Sequence, residues 1–202
     1  MNRRLTLTTG IVLATLSLLH LVGSVYRART PFKVASLGEL HAPTLGQADS
    51  PLSIVVFTDY RCPHCRGFES EVMPELEALV TDGTLSLTLV PVAMLGEDSE
   101  LIAAGALCAA RQSEAAFAKL HKAFFDLPGV DQQTLVDLAA KHGASPVHLR
   151  GCLEGDGAVA EVEHNTRRAR EIGLRGTPTV VFRGKAYANP SWDTLAGVVG
   201  EL

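Results

Sequence analysis

The sequence has no excess of basic residues, no internal repeat and no low-complexity tract. Lysine and arginine together number 18, against 22 aspartates and glutamates, for a formal net charge of -4. A nucleic-acid-binding domain normally carries a basic face, so this balance argues against that class of protein. The chain also lacks the second Cys-x-x-Cys pair that a structural zinc site with four ligands would need. We therefore expect no nucleic-acid partner, no metal and no cofactor.

The amino terminus is a nearly unbroken apolar segment that follows Arg3 and Arg4. Its apolar stretch, residues 5–25, is close to the ~20 residues that span a bilayer. It is longer than the roughly 7–15 apolar residues of a signal peptide. We interpret residues 1–26 as an uncleaved signal anchor, with a cleaved signal peptide or a buried core helix as alternatives. Residues 27–50, with two prolines and two glycines, are predicted to be a linker.

The central feature of the remaining chain is a Cys-x-x-Cys pair at the junction of a strand and a helix. An apolar run, residues 52–58, predicts a buried strand, and a short turn leads from it to Cys62-Pro63-His64-Cys65. Proline suits the first helical position, so Cys62 falls at the start of a helix. Unpaired N–H groups and the helix dipole stabilise a thiolate there. Cys65, three positions later, lies on the same helix face.

This geometry predicts a dithiol that exchanges disulfides. Cys62 is the predicted attacking sulfur, and Cys65 the resolving sulfur that releases a mixed disulfide. His64 can add a donor or a positive charge beside the sulfur of Cys62. A stabilised Cys62 thiolate stabilises the reduced protein, which makes its disulfide an oxidant. The alternatives are half of a zinc site and a pair of inert buried thiols.

The rest of the chain shows one strand after the first helix, a long helical block and a closing hairpin. The first helix carries apolar residues at helical spacing and is expected to kink at Pro74. The other predicted elements are a strand from Leu85 to Val92, helices over about residues 97–172, strands at Thr179 to Phe182 and Lys185 to Ala188, and a terminal helix capped by Ser191.

The stretch Asp59-Tyr60-x-Cys62-Pro63-x-Cys65 resembles the thioredoxin superfamily, and in particular its DsbA-like branch of thiol:disulfide oxidoreductases. The resemblance implies an α/β, thioredoxin-like fold over residues 51–202, with a helical insertion at about 97–172 and an N-terminal apolar helix before it. It also implies that Thr177-Pro178 is the cis-proline loop that faces the active-site disulfide. The predicted site is therefore Cys62, Pro63, His64, Cys65, Thr177 and Pro178.

One position departs from the family pattern. Many thioredoxin-like enzymes keep a buried carboxylate six residues before the first active-site cysteine, and here that residue is Val56. The proton acceptor for Cys65 therefore stays open. Asp59 lies on the opposite face of an extended chain from Val56, so we do not assign it that role.

Two further cysteines, Cys108 and Cys152, lie on apolar stripes of predicted helices in the insertion. We predict a structural disulfide between them, with two free core thiols or a second redox pair as alternatives. His121, among phenylalanines, is predicted to be a core histidine with its hydrogen bonds satisfied rather than a ligand.

The resemblance implies an oxidase that donates the Cys62–Cys65 disulfide to reduced substrate proteins. A quinone-linked membrane partner of DsbB type would re-oxidise it, in the periplasm or another extracytoplasmic compartment, with residues 5–25 as the tether. Only about 24 residues separate the apolar stretch from the first strand, without a heptad pattern, so we expect a monomer. The alternatives are a reductase or isomerase kept reduced by a membrane electron donor, and a redox-inert thioredoxin-fold chaperone or assembly module.

Overall fold

The computed structural model describes residues 40–155 and 157–200. The predicted anchor at residues 5–25 and most of the predicted linker lie outside the described residues. Within the part of the chain that is described, no helix is both long enough and apolar enough to cross a membrane.

A mixed five-stranded sheet forms the centre of the fold. Its strands are β1 (Thr44–Leu45), β2 (Leu52–Thr58), β3 (Leu85–Pro91), β4 (Thr179–Phe182) and β5 (Lys185–Ala188). They are ordered β1-β3-β2-β4-β5 across the sheet. Only β2 and β3 are parallel; the other three neighbouring pairs are antiparallel. The central strands are buried on both faces, which explains their nearly continuous apolar sequences.

Eight helices are described. They are α1 (Pro63–Glu71), α2 (Met73–Thr81), α3 (Glu97–Gln112), α4 (Glu114–Phe124), α5 (Gln132–Lys141), α6 (Pro146–Leu153), α7 (Gly157–Glu171) and α8 (Trp192–Val199). The five helices α3 to α7 stand between β3 and β4, so the predicted helical insertion is present. Its apolar side chains join those of the sheet in one core.

The predicted kink at Pro74 is instead a break between two helices. The first helix ends at Glu71, and Val72 serves both as its C-cap and as the N-cap of α2. Pro74 therefore stands in the first turn of α2, where its missing N–H has no helical partner to lose. The expectation of one kinked helix was wrong because proline is more easily placed at a new helix start than inside a continuing helix.

The sequence did not predict β1. Thr44 and Leu45 lie within residues 27–50, which were interpreted as a linker, but they pair antiparallel with Thr88 and Leu87 of β3. The hydroxyls of Thr44 and Thr88 are also 2.9 Å apart. This end of the predicted linker is therefore part of the sheet.

Helix starts follow local capping chemistry. The side chains of Ser113, Asp131, Ser145 and Ser191 each accept a hydrogen bond from a backbone N–H in the first turn of the helix that follows. Such caps satisfy N–H groups that have no partner within the helix. The predicted cap at Ser191 is confirmed.

Candidate active site

The two cysteines of the Cys-x-x-Cys pair stand at the carboxyl end of β2 and the start of α1. Cys62 is the N-cap residue, with extended backbone angles, and Pro63 opens the helix. The backbone N–H of Cys62 donates to the carbonyl of Asp59 over 3.0 Å, which closes the turn between strand and helix. Both cysteines are free thiols, and 8% of Cys62 and 1% of Cys65 is exposed. A reaction partner in solution therefore reaches Cys62 before Cys65.

The environment of Cys65 keeps its proton in place. Burial raises the pKa of the Cys65 thiol to about 12, against hydrogen bonds from the N–H of Asp59 and from the side chains of Thr177 and Thr58 that lower it. The N–H of Asp59 lies 3.5 Å from the sulfur. These donors would stabilise negative charge on Cys65 at the moment when it leaves a disulfide. Val56, at the position where many thioredoxin-like enzymes have a carboxylate, is apolar and buried.

The Thr177–Pro178 loop faces this pair across the fold. The peptide bond between the two residues is cis. The thiol of Cys62 donates to the carbonyl oxygen of Thr177 over 3.3 Å, and the N–H of Asn189 donates to the carbonyl of Pro178 over 2.8 Å. Residues 115 positions apart in the chain are thus in direct contact at the reactive sulfur.

His64 is exposed, and it lines one side of a groove with Phe68, Asn189 and Pro190. The two arginines beside the pair point towards the helical insertion. The guanidinium of Arg61 donates to the carbonyl of Leu127 over 2.8 Å, and the guanidinium of Arg66 donates to the carbonyl of Phe125. These contacts join the turn and helix of the active site to the segment that follows α4.

Asp59 has a structural role that sequence reasoning missed. Its carboxylate is fully buried. It accepts hydrogen bonds from the backbone N–H groups of Arg61, Met94 and Leu95 and from the hydroxyl of Ser99, over 2.9, 2.7, 3.2 and 2.7 Å. Four donors fix the turn before Cys62 to the loop that follows β3. No local sequence pattern indicates this role, because three of the four donors lie 35 to 40 positions away.

The second pair of cysteines lies apart from the first. Cys108 on α3 and Cys152 on α6 form a disulfide, with their Cα atoms 5.7 Å apart. Cys108 is buried, whereas Cys152 is half-buried and in contact with the guanidinium of Arg111 over 3.1 Å. In this structure the bond joins two helices of the insertion.

Residues 39–201 match the model of a family described as thioredoxin. The chain belongs to the thioredoxin family. Disulfide bond formation protein D of Bacillus subtilis is 26% identical over 155 residues, which are 73% of this chain and 70% of that protein. DsbA of Chlamydia trachomatis is 26% identical, with a TM-score of 0.70, over 79% of this chain and 90% of that chain.

A periplasmic thioredoxin-like protein from Salmonella enterica serovar Typhimurium is also similar. It is 29% identical, with a TM-score of 0.67, over 80% of this chain and 89% of that chain. Together with the site geometry, these similarities make this thioredoxin-family member a DsbA-like thiol:disulfide oxidoreductase. The family match over residues 39–201 contains the helical insertion, so the predicted α/β fold with that insertion is confirmed.

Proposed function

We propose that this DsbA-like protein is an exported oxidase that donates the Cys62–Cys65 disulfide to reduced substrate proteins. The observation that carries the proposal is the unequal placement of the two sulfurs. Cys62 stands at the N-cap of α1, beside the carbonyl of Thr177, and Cys65 is buried beneath it. A helix start favours the thiolate of Cys62, and burial favours the protonated thiol of Cys65.

The exchange begins with attack of a substrate thiolate on the sulfur of Cys62 in the oxidised protein. The Cys62–Cys65 bond breaks, a mixed disulfide forms, and Cys65 leaves with the electron pair and takes a proton. A second substrate thiolate then attacks the substrate sulfur of the mixed disulfide and releases Cys62 as a thiolate. Because α1 stabilises that leaving thiolate, transfer of the disulfide to substrate is favoured.

Each of the other site residues has a supporting role in this scheme. Pro63 begins α1 at a position where the N–H that proline lacks would have no helical partner, and His64 lines a groove with Phe68 and Asn189. Thr177 and Pro178 place a carbonyl 3.3 Å from Cys62, where an extended substrate segment would lie. The Cys108–Cys152 disulfide is structural and holds α3 to α6.

Export is supported by the apolar amino terminus and by the similarity to a periplasmic thioredoxin-like protein of Salmonella enterica. Residues 5–25 would tether the protein to the cytoplasmic membrane. A quinone-linked membrane protein of DsbB type would re-oxidise the pair. The protein would act as a monomer, because each chain carries one Cys-x-x-Cys pair and a disulfide donor needs only one.

The deciding experiment measures the redox state of Cys62 and Cys65 in living cells by acid quenching and maleimide labelling. We expect them to be mostly disulfide-bonded, and to become reduced when the quinone-linked partner is removed. The full-length protein in mild detergent should oxidise a peptide with two thiols rapidly and refold a scrambled substrate poorly. Cys62→Ser is the matched inactive control.

Two outcomes would favour other functions. Mostly reduced cysteines in cells, together with efficient refolding of a scrambled substrate, would identify a reductase or isomerase. Full cellular activity of a Cys62→Ser, Cys65→Ser double variant would identify a redox-inert chaperone or assembly module.

A further inference from the structure

Hydrogen bonds join three titratable side chains at the active-site helix α1. The hydroxyl of Tyr60, two residues before Cys62, is 2.9 Å from Nδ1 of His121 on α4. Nε2 of the same imidazole is 3.0 Å from a carboxylate oxygen of Glu69 on α1. Only 2% of Tyr60 and 3% of His121 is exposed. The rings of Phe117 and Phe125 pack against the imidazole, so it is separated from bulk solvent.

The chemistry of these three side chains shows which atom donates in each hydrogen bond. An ionised carboxylate only accepts, so Nε2 of His121 carries a proton and donates to Glu69. In the neutral imidazole, Nδ1 accepts from the Tyr60 hydroxyl. If the ring gains a second proton, Nδ1 donates instead, and the phenol oxygen accepts. Both contacts can form in either protonation state, and only the Tyr60 hydroxyl has to turn, from donor to acceptor.

The two hydrogen-bond partners of His121, Glu69 and Tyr60, favour a positive charge on its imidazole. The second carboxylate oxygen of Glu69 is buried and has no hydrogen-bond partner in the described structure. A charged imidazole would compensate that carboxylate as an ion pair. Burial, with the negative charges of Glu69 and Cys65 as smaller causes, raises the pKa of Tyr60 well above its ordinary value. The phenol therefore keeps its proton, and the imidazole, held between two polar partners, can accept a second one.

Tyr60 connects the hydrogen bonds of His121 and Glu69 to the redox pair. Its side chain and Cys62 line the same cavity of about 420 Å³, and Glu69 follows Cys65 by one helical turn on α1. The carboxylate of Asp59 already has four donors, and Val56 is apolar.

Two charged groups on the helices that carry Glu69 and His121 have partners of their own. Arg66 on α1 donates to the carbonyl of Phe125. Lys122, beside His121 on α4, pairs with Glu77 on α2. Among the described residues around the pair, His121, hydrogen-bonded to Glu69, is therefore a buried base that can accept a proton.

We propose that Tyr60, His121 and Glu69 form a redox-linked proton store, in which His121 takes up a proton when the Cys62–Cys65 disulfide is reduced and releases it when the disulfide re-forms. This inference rests on the proposed function, in which reduced Cys62 is a thiolate. His121 acts through Tyr60 and touches neither sulfur, so it is a positioning residue in the reaction.

A substrate dithiol gives up two electrons and two protons as it becomes a disulfide. The electrons break the Cys62–Cys65 bond, and Cys65 takes one proton. The second proton, which the Cys62 thiolate does not take, goes to His121. The new negative charge at Cys62 and the new positive charge at His121 stabilise each other inside the low-dielectric core.

The test counts the protons released when the oxidised full-length protein, in mild detergent and weak buffer, is reduced by dithiothreitol. The measurement is made between about pH 6 and 7.5, where histidine can change its charge and ordinary thiols stay protonated. Without a store, each disulfide reduced should release about one proton, as argued from the thiolate and thiol that form. We expect the wild-type protein to release clearly less, and His121→Gln to restore the full count.

Two controls separate this role from a purely structural one. Tyr60→Phe removes one hydroxyl and should also restore proton release, whereas His148→Gln, at an exposed histidine on α6, should leave the wild-type count unchanged. If His121→Gln does not fold, the imidazole signals of His121 can be titrated by NMR in the wild-type protein. Its titration should move to higher pH in the reduced form.

Each outcome has one meaning. Equal release of about one proton from the wild type and His121→Gln, or equal titration of His121 in both redox states, overturns the proton store alone. Release of no protons from either protein would show that reduced Cys62 is a thiol. That result would contradict the thiolate chemistry of the proposed function itself.

Discussion

Asp59 is the residue whose replacement should cost this protein the most stability near its active site. Its buried carboxylate accepts from the N–H groups of Arg61, Met94 and Leu95 and from the hydroxyl of Ser99. Asp59→Ala would leave all four donors without this acceptor. A buried donor that loses its partner costs about 1–3 kcal/mol. The Ser99 hydroxyl can rotate, and water can reach part of the turn, so we expect a loss of roughly 3–5 kcal/mol.

Two further variants test whether the hydrogen bonds cause the loss. Ser99→Ala removes one donor and leaves the carboxylate with three, so it should cost only about 1–1.5 kcal/mol. Asp59→Asn keeps the shape of the side chain. One of the two carboxylate oxygens becomes an NH₂ group in Asn. This donor must then face other donors, either the N–H groups of Met94 and Leu95 or the N–H of Arg61 and the hydroxyl of Ser99. We therefore expect Asn to be nearly as destabilising as Ala.

Urea unfolding, followed through the fluorescence of Trp192, measures these differences. This is the only tryptophan in the sequence, and it packs against the core from α8. Typical domains are stable by about 5–15 kcal/mol, so a loss of the expected size would shift the midpoint strongly. An Asp59→Ala protein within about 1 kcal/mol of wild type would refute the reasoning, because it would mean that water replaces the carboxylate at little cost.

Four further predictions concern the thiols and the amino terminus. Replacing Cys108 and Cys152 by alanine should lower the free energy of unfolding by up to about 4 kcal/mol in the chain-entropy model, and unchanged urea midpoints would contradict it. Because the pKa of Cys65 is about 12, iodoacetamide should modify reduced protein at Cys62 near neutral pH and leave Cys65 intact. Peptide mass spectrometry that finds equal modification would argue against its burial. Since this pKa is raised, the proton on Cys65 stabilises the reduced fold at lower pH, and that stabilisation should fade as pH rises from about 9 towards 12, in reduced but not oxidised protein. If residues 5–25 are an anchor, the protein should stay with membranes through carbonate washing, and soluble protein that begins near residue 25 would show a cleaved signal instead.

The disulfide-exchange motif and most of the secondary structure could be predicted because their signals are local. The apolar run at residues 52–58 and the caps at Asp131 and Ser191 depend on neighbours within a few positions. The placement of Cys62 at a helix start follows from Pro63 alone. The prediction that His121 is a core histidine with satisfied hydrogen bonds is confirmed.

Contacts between distant parts of the chain could not be predicted in this way. The strand β1 has two residues and no alternation of its own, and it exists because β3 offers an open edge. The break at Val72 depends on how α1 and α2 pack as well as on Pro74. No local pattern distinguishes these arrangements from a linker or a kinked helix.

The sequence by itself determined the reactive chemistry: two cysteines on one helix face, with the first at the helix start. Only the tertiary structure decided what surrounds them. The donors to Asp59 come from up to 40 positions away, His121 is 61 positions from Tyr60, and Thr177 is 115 positions from Cys62. The physical reason is that a helix start acts on its own residue through the adjacent backbone, whereas burial and hydrogen bonding act through whichever side chains the packed core brings into contact.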